Sequence, residues 1–148
     1  MAKYEAAFIA LPLLVTFIPM LTDTGGNAGS QSSTLVIRGM ALNEISTKDF
    51  GKVFLKELAV SLLVGLALSI VNFGRLLLMY PGEYMIAFTV SLALYFTVVL
   101  AKTVGGILPL VAKLFNTDPA IMAAPVITTI VDAFSLIIYF KIVEALLF

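Results

Sequence analysis

Asp23-Thr24-Gly25-Gly26-Asn27-Ala28-Gly29-Ser30-Gln31-Ser32-Ser33 is the stretch on which the reading of this chain turns. It follows an apolar run over residues 6–21 and precedes another over residues 34–42. Small and polar residues set between apolar ones are costly in hydrocarbon, where backbone N–H and C=O groups must be paired internally or line a cavity. An aspartate there is costlier still and by default marks a functional site. This stretch is therefore where water or an ion is expected to meet the protein.

The rest of the composition gives that stretch its setting. Of 148 residues, 61% are hydrophobic and 12% charged, against about 25% charged in a soluble domain. Mean hydropathy is +1.09. The chain reads as one all-α membrane domain over residues 1–148, a bundle of four helices in a lipid bilayer. It has no cysteine and no histidine. That excludes a disulfide framework, thiol chemistry and the usual zinc, copper and iron sites. A net charge of zero argues against nucleic acid as a partner. Asp23-Thr24-Gly25-Gly26 is not a convincing cleavage site, so the first segment does not read as a signal peptide.

The four segments are expected at about 4–42, with a break at Gly25-Gly26, then 53–79, 85–114 and 119–148. In the first, Asp23, Asn27 and Gln31 lie four apart and Thr34 three further on, so a helix places them on one face. The glycines let another backbone or a hydrated ion come close; the alternative is a kinked helix packed through small residues. The following loop carries Glu44, Lys48, Asp49, Lys52 and Lys56 and reads as a solvated surface. In the second segment Ser61, Gly65 and Ser69 form a small-xxx-small packing stripe, and Arg75 is placed to snorkel. Tyr80-Pro81-Gly82-Glu83-Tyr84 is an interfacial turn. In the third segment Gly105-Gly106 and Pro109 read as a packing kink, while Lys102 either snorkels or faces the polar cavity.

Asn116-Thr117-Asp118-Pro119 reads as a helix start, a cap residue followed by proline at the first position. The last segment places Thr128, Asp132 and Ser135 on one face. Counted from Pro119, Asp132 lies about 20 Å along that helix at 1.5 Å per residue, deep in the hydrocarbon layer. Arg38, Lys48, Lys52, Lys56 and Lys113 outnumber Lys3, Arg75 and Lys141, so loops 43–56 and 112–118 are expected in the cytoplasm and both termini outside. An N-terminus outside without a signal peptide points to a preceding helix missing from this chain.

Two blocks carry a family resemblance. One is Pro19-Met20 with Gly25-Gly26-Asn27-Ala28-Gly29-Ser30-Gln31-Ser32 and Val36-Ile37-Arg38-Gly39-Met40-Ala41-Leu42. The other is Asp118-Pro119-Ala120, Pro125, Thr128-Thr129-Ile130-Val131-Asp132 and Ile137-Ile138-Tyr139-Phe140. Together they resemble the membrane domain of the MgtE magnesium channels and transporters. The resemblance implies a magnesium pathway between two subunits of a homodimer. It implies a pore lined by the glycine–asparagine helix and by the last helix, whose aspartate, here Asp132, binds the ion. It also implies five membrane helices, of which four are counted here, and cytoplasmic sensing and CBS domains absent from this sequence. Residue 124 is Ala where some relatives carry a polar residue, and Asp23 stands outside the signature.

The donor chemistry agrees on its own terms. The candidate ligands are oxygens: Asp132, Asn27, Thr128 and Asp23. The expected pore lining adds Gly25, Gly26, Ser30, Gln31, Thr34, Ala124, Thr129 and Ser135. Hard cations take oxygen ligands, and magnesium keeps most of its water. That chemistry agrees with what the resemblance implies, Mg2+ as the transported ion, and no enzymatic activity is expected. A sodium- or proton-coupled exchanger is the alternative, since a membrane aspartate also relays protons. A distant alternative is an intramembrane aspartyl protease built on Asp23 and Asp132. The Gly-x-Gly-Asp pattern of such enzymes is missing, as Thr129-Ile130-Val131 precedes Asp132. A membrane scaffold without transport leaves the polar stripes unexplained.

Overall fold

The protein is described here from a computed structural model that covers Glu5 and residues 11–148. Among these residues all regular structure is helical. Helix α1 is Ile18–Ala41, led in by a 3-10 turn at Pro12–Phe17; α2 is Phe50–Met79, after a short turn at Thr47–Asp49; α3 is Tyr84–Leu114; and α4 is Ala124–Leu147, after a 3-10 turn at Pro119–Met122. The expected beginning of the first helix near Tyr4, and Lys3, lie outside the described residues.

Two expectations are corrected. The break at Gly25-Gly26 is absent: α1 runs through it unbroken. Glycine in a helix interior costs about 1 kcal/mol relative to alanine. Here both glycines are buried, and close packing against α3 and α4 compensates. The last helix also does not start at Pro119. The Asp118 carboxylate accepts from the Ala120 N–H at 3.0 Å, but the turn that follows ends at Met122, and α4 begins at Ala124. Pro125 has no N–H and its ring crowds the carbonyl four residues before it, so it fits the first turn of a helix better than the interior of one begun at Pro119. Pro125 instead sits in the first turn of a new helix. Asp132 is then about 12 Å along α4 rather than 20 Å.

The helix ends have local causes. Asn43 and Asn116 hold φ of 58° and 56°, the left-handed conformation that closes a helix C-terminus. After α1, the Glu44 N–H bonds the Gly39 carbonyl at 2.8 Å and the Asn43 N–H the Met40 carbonyl at 3.2 Å; after α3, Thr117 bonds Ala112 and Asn116 bonds Lys113, both at 3.0 Å. Between α2 and α3, Gly82 takes φ of 93° in the tight turn.

Helix α3 is the central post, packed against the other three. Its Val90, Ala93, Val98 and Ala101 are fully buried with Leu14, Ile127, Val131 and Tyr139 in one core. Helix α2 lies on one side of it through Ser61, Gly65 and Ser69, all buried, as the packing stripe requires. Away from this stripe it exposes Leu63, Leu66, Ile70 and Val71, which suits contact with lipid. Helices α2, α3 and α4 are long and apolar enough to cross a membrane. The 24 residues of α1 are not among them, because the glycine, serine and asparagine positions dilute its apolar character.

Gly105-Gly106 and Pro109 leave α3 continuous. A Cβ on Gly105 would run into the Gly29 backbone of α1, so this pair of glycines sets the close crossing of α1 and α3. Pro109 is buried; it has no N–H, so the carbonyl four residues before it loses its helical donor, a loss that neighbouring helices make tolerable. Arg75 is exposed: its guanidinium donates to Asn72 Oδ1 on its own helix at 2.8 Å and reaches the Met20 sulfur of α1 at 3.1 Å.

Candidate functional site

Helices α1 and α4 meet where α1 has no side chain. A Cβ on Gly26 would stand 3.1 Å from Thr128 Cγ2 and 3.9 Å from Asp132 Oδ1. The missing Cβ therefore lets the Asp132 carboxylate come alongside the turn that carries Asn27. The result is an open cleft of about 320 Å³ lined by Pro19, Thr22, Asp23, Gly26, Asn27, Thr128 and Asp132. A second cleft of about 470 Å³, lined by Asn27, Ser30, Gln31, Thr34 and Leu35, continues along α1. Asn27 belongs to both, so the polar face of α1 forms one continuous strip.

The hydrogen bonds leave oxygens free on this strip. Asn27 Nδ2 donates to Asp23 Oδ2 at 3.3 Å, a bond that uses the amide's donor end and leaves its oxygen available as an acceptor. Thr128 Oγ1 donates to the Ala124 carbonyl at 2.9 Å, which uses its proton and keeps its lone pairs for a cation or a water. Thr129 Oγ1 donates to the Pro125 carbonyl at 2.8 Å. Asp23 and Asp132 line the same cleft. No group of three or more His, Cys, Asp or Glu side chains occurs among the described residues. Two carboxylates, an amide and a hydroxyl suit a hard cation that keeps its hydration shell better than a dry cage.

The other residues singled out from sequence divide by place. Gln31, Thr34 and Ser30 line the second cleft, although the Ser30 hydroxyl oxygen is itself buried and without a partner. Ala124 and Thr129 are exposed at the start of α4. Gly25 and Ser135 lie behind the cleft, in the helix interface. A Cβ on Gly25 would stand 2.7 Å from Thr97 Cγ2 and 3.1 Å from Ser135 Oγ, and Ser135 is fully buried with its hydroxyl on the Val131 carbonyl at 2.6 Å.

Sequence reasoning passed over Glu57. Lys102 neither snorkels nor faces the cleft: it is buried and its Nζ donates to Ser32 Oγ at 3.0 Å. Ser32 in turn donates to Glu57 Oε2 at 2.7 Å. The available signal was spacing, since Glu57 stands four residues before Ser61 on the packing stripe.

The family described as MgtE, divalent cation transporter, matches residues 18–142. Over 144 residues the chain is 35% identical to the magnesium transporter MgtE of Thermus thermophilus, covering 97% of this chain and 32% of that protein. It is 32% identical over 142 residues to the magnesium transporter MgtE of Bacillus subtilis, covering 96% and 31%. To that of Enterococcus faecalis it is 28% identical over 141 residues, covering 95% and 31%. The chain thus spans about a third of the length of the curated relatives it matches. With the match running from the first residue of α1 far into α4, the chain belongs to the MgtE family of divalent cation transporters.

Proposed function

We propose that this chain forms half of a magnesium pathway across a membrane, with α1 as a fourth membrane helix and the cleft between α1 and α4 as the ion site. The observation that carries the reading is the meeting of Asp23, Asn27, Thr128 and Asp132 on one open cleft in a chain whose outer surface is apolar. Asp132 supplies the charge that attracts the cation. Asn27, Thr128 and Gln31 hydrogen-bond the ion's water shell, and Asp23 lies further along the strip. Gly26 acts through space alone, by admitting Asp132.

The cleft is open on one side, and one chain supplies one wall of a pore. A second copy related by a twofold axis supplies the other. Two ionised Asp132 side chains facing each other repel unless a cation lies between them, and a divalent ion offsets both charges at once. Such a dimer favours divalent over monovalent occupancy. The basic residues on the α1–α2 connection and at the end of α3 orient both connections to the cytoplasm.

The test is magnesium uptake by purified protein in liposomes loaded with a magnesium-sensitive dye. Uptake down a magnesium gradient, independent of sodium or pH gradients, is the expected result. Uptake that needs either gradient would assign a coupled exchanger instead, and its absence in all three conditions would remove the transport reading.

A further inference from the structure

Away from the cleft, three polar side chains on three helices meet inside the protein. Glu57 of α2 and Lys102 of α3 are each 7% exposed, and Ser32 of α1 is fully buried. The Ser32 hydroxyl accepts from Lys102 and donates to Glu57, so one side chain answers both charges. The Glu57 stem lies on Gly106, where a Cβ would stand 2.6 Å from its Cγ. The short Ser32 side chain reaches Lys102 because Gly29 and Gly105 bring α1 and α3 into backbone contact. On its other flank α1 is tied again, by the Ser33 hydroxyl donating to the Met122 carbonyl before α4.

A buried ion pair is a poor source of net stability, since apolar side chains of similar shape often do as well. What it supplies is geometric. A hydrogen-bonded bridge between opposite charges forms in one rotation and one height of α1. Ser32 is buried while its neighbour Gln31 is exposed, and Asn27 lies on the exposed side with Gln31. Turning α1 by one residue, about 100° at 3.6 residues per turn, would carry Asn27 and Gln31 out of the clefts and bring either Ala28 and Ser32 or Gly26 and Ser30 into their places.

We infer that Glu57, Ser32 and Lys102 are positioning residues that set the rotational register of α1 and so hold Asn27 and Gln31 toward the ion path. This rests on the transport reading for its consequence, though not for its geometry. The bridge acts through α1 and touches no ion.

The experiment uses Glu57→Gln, Lys102→Met and the double variant, each combined with Gln31→Cys, which is clean because the chain has no native cysteine. Two readouts are taken in liposomes: magnesium flux per inserted protein, and the rate at which the cysteine at 31 reacts with a water-soluble thiol reagent. Each single variant leaves one buried charge without its partner, and is expected to lower flux about tenfold relative to Gln31→Cys alone and to slow thiol reaction by a similar factor. The double variant, with no charge left, is expected to recover both to within about threefold. Singles that lower only thermal stability, with flux and thiol rate unchanged, would overturn the inference, as would a double variant no better than either single. Should a single fail to insert, Ser32→Ala takes its place with the same expectations, and the double variant decides the pairing. If the unaltered protein carries no magnesium, the transport reading fails, while the thiol rates still decide whether these residues set the register.

Discussion

In the ion site proposed above, Gly26 supplies space and Asp132 supplies charge. The carboxylate reaches the Asn27 turn because nothing projects from residue 26. Asn27 contributes a dipole, so its loss leaves the attraction for a cation in place and alters only how the water shell is held. Asn27→Ala is therefore expected to keep magnesium flux within about tenfold while narrowing the preference for magnesium over calcium, measured as the ratio of the two initial rates in dye-loaded liposomes. Unchanged rates for both ions would take Asn27 off the path. Asp23 already accepts from Asn27 and lies one turn from Asn27 along the strip. Asp23→Asn keeps an acceptor there, and its effect on flux is expected to be smaller than that of any neutral change at Asp132.

At the scale of the helix, small residues do two different things. On α1 they make room for α3 and α4, and on α2 they make room for α3. Gly65 illustrates the second: a Cβ there would stand 3.3 Å from both the Tyr95 side chain and its carbonyl oxygen. Gly65→Leu should push α2 off α3 and lower stability by about 1–3 kcal/mol, read as a lower unfolding midpoint in detergent, with the magnesium-to-calcium rate ratio unchanged. An unaltered midpoint would contradict the packing of α2. The four-residue spacing of Ser61, Gly65 and Ser69 made this stripe legible from sequence, and the same four-residue logic placed Asp23, Asn27 and Gln31 on one exposed face. The continuity of α1 was not legible. Consecutive glycines lower local helix propensity, and the packing that outweighs the loss comes from Thr97, Val131 and Thr128, distant in sequence. The start of α4 differs from expectation because Asp118-Pro119 is a valid opening for any helical turn, long or short, and Pro125 opens a new helix in its own first turn. Spacing from Ser61 could have put Glu57 on the buried stripe, but its partner is a serine 25 residues away, and no local pattern names that partner.

At the scale of the whole molecule, the polar strip of α1 and the Asp132 face of α4 line open clefts, and the exposed apolar surface of α2 lies elsewhere. A twofold pore built from the open side puts residue 128 of one copy near residue 128 of the other. Thr128→Cys is expected to form an intermolecular disulfide under mild oxidation, seen as a dimer band on non-reducing gels, while Leu63→Cys on the outer face of α2 stays monomeric. The reverse pattern would place the interface on α2. The most direct test of the central claim is Asp132→Asn. It is nearly isosteric and removes only the charge, and an unpaired carboxylate in a membrane is costly, so fold and dimer are expected to persist. Magnesium flux into dye-loaded liposomes, at matched protein insertion, should fall to a small fraction of the unaltered protein's, and Asp132→Glu should keep part of it. Undiminished flux from Asp132→Asn would contradict the account.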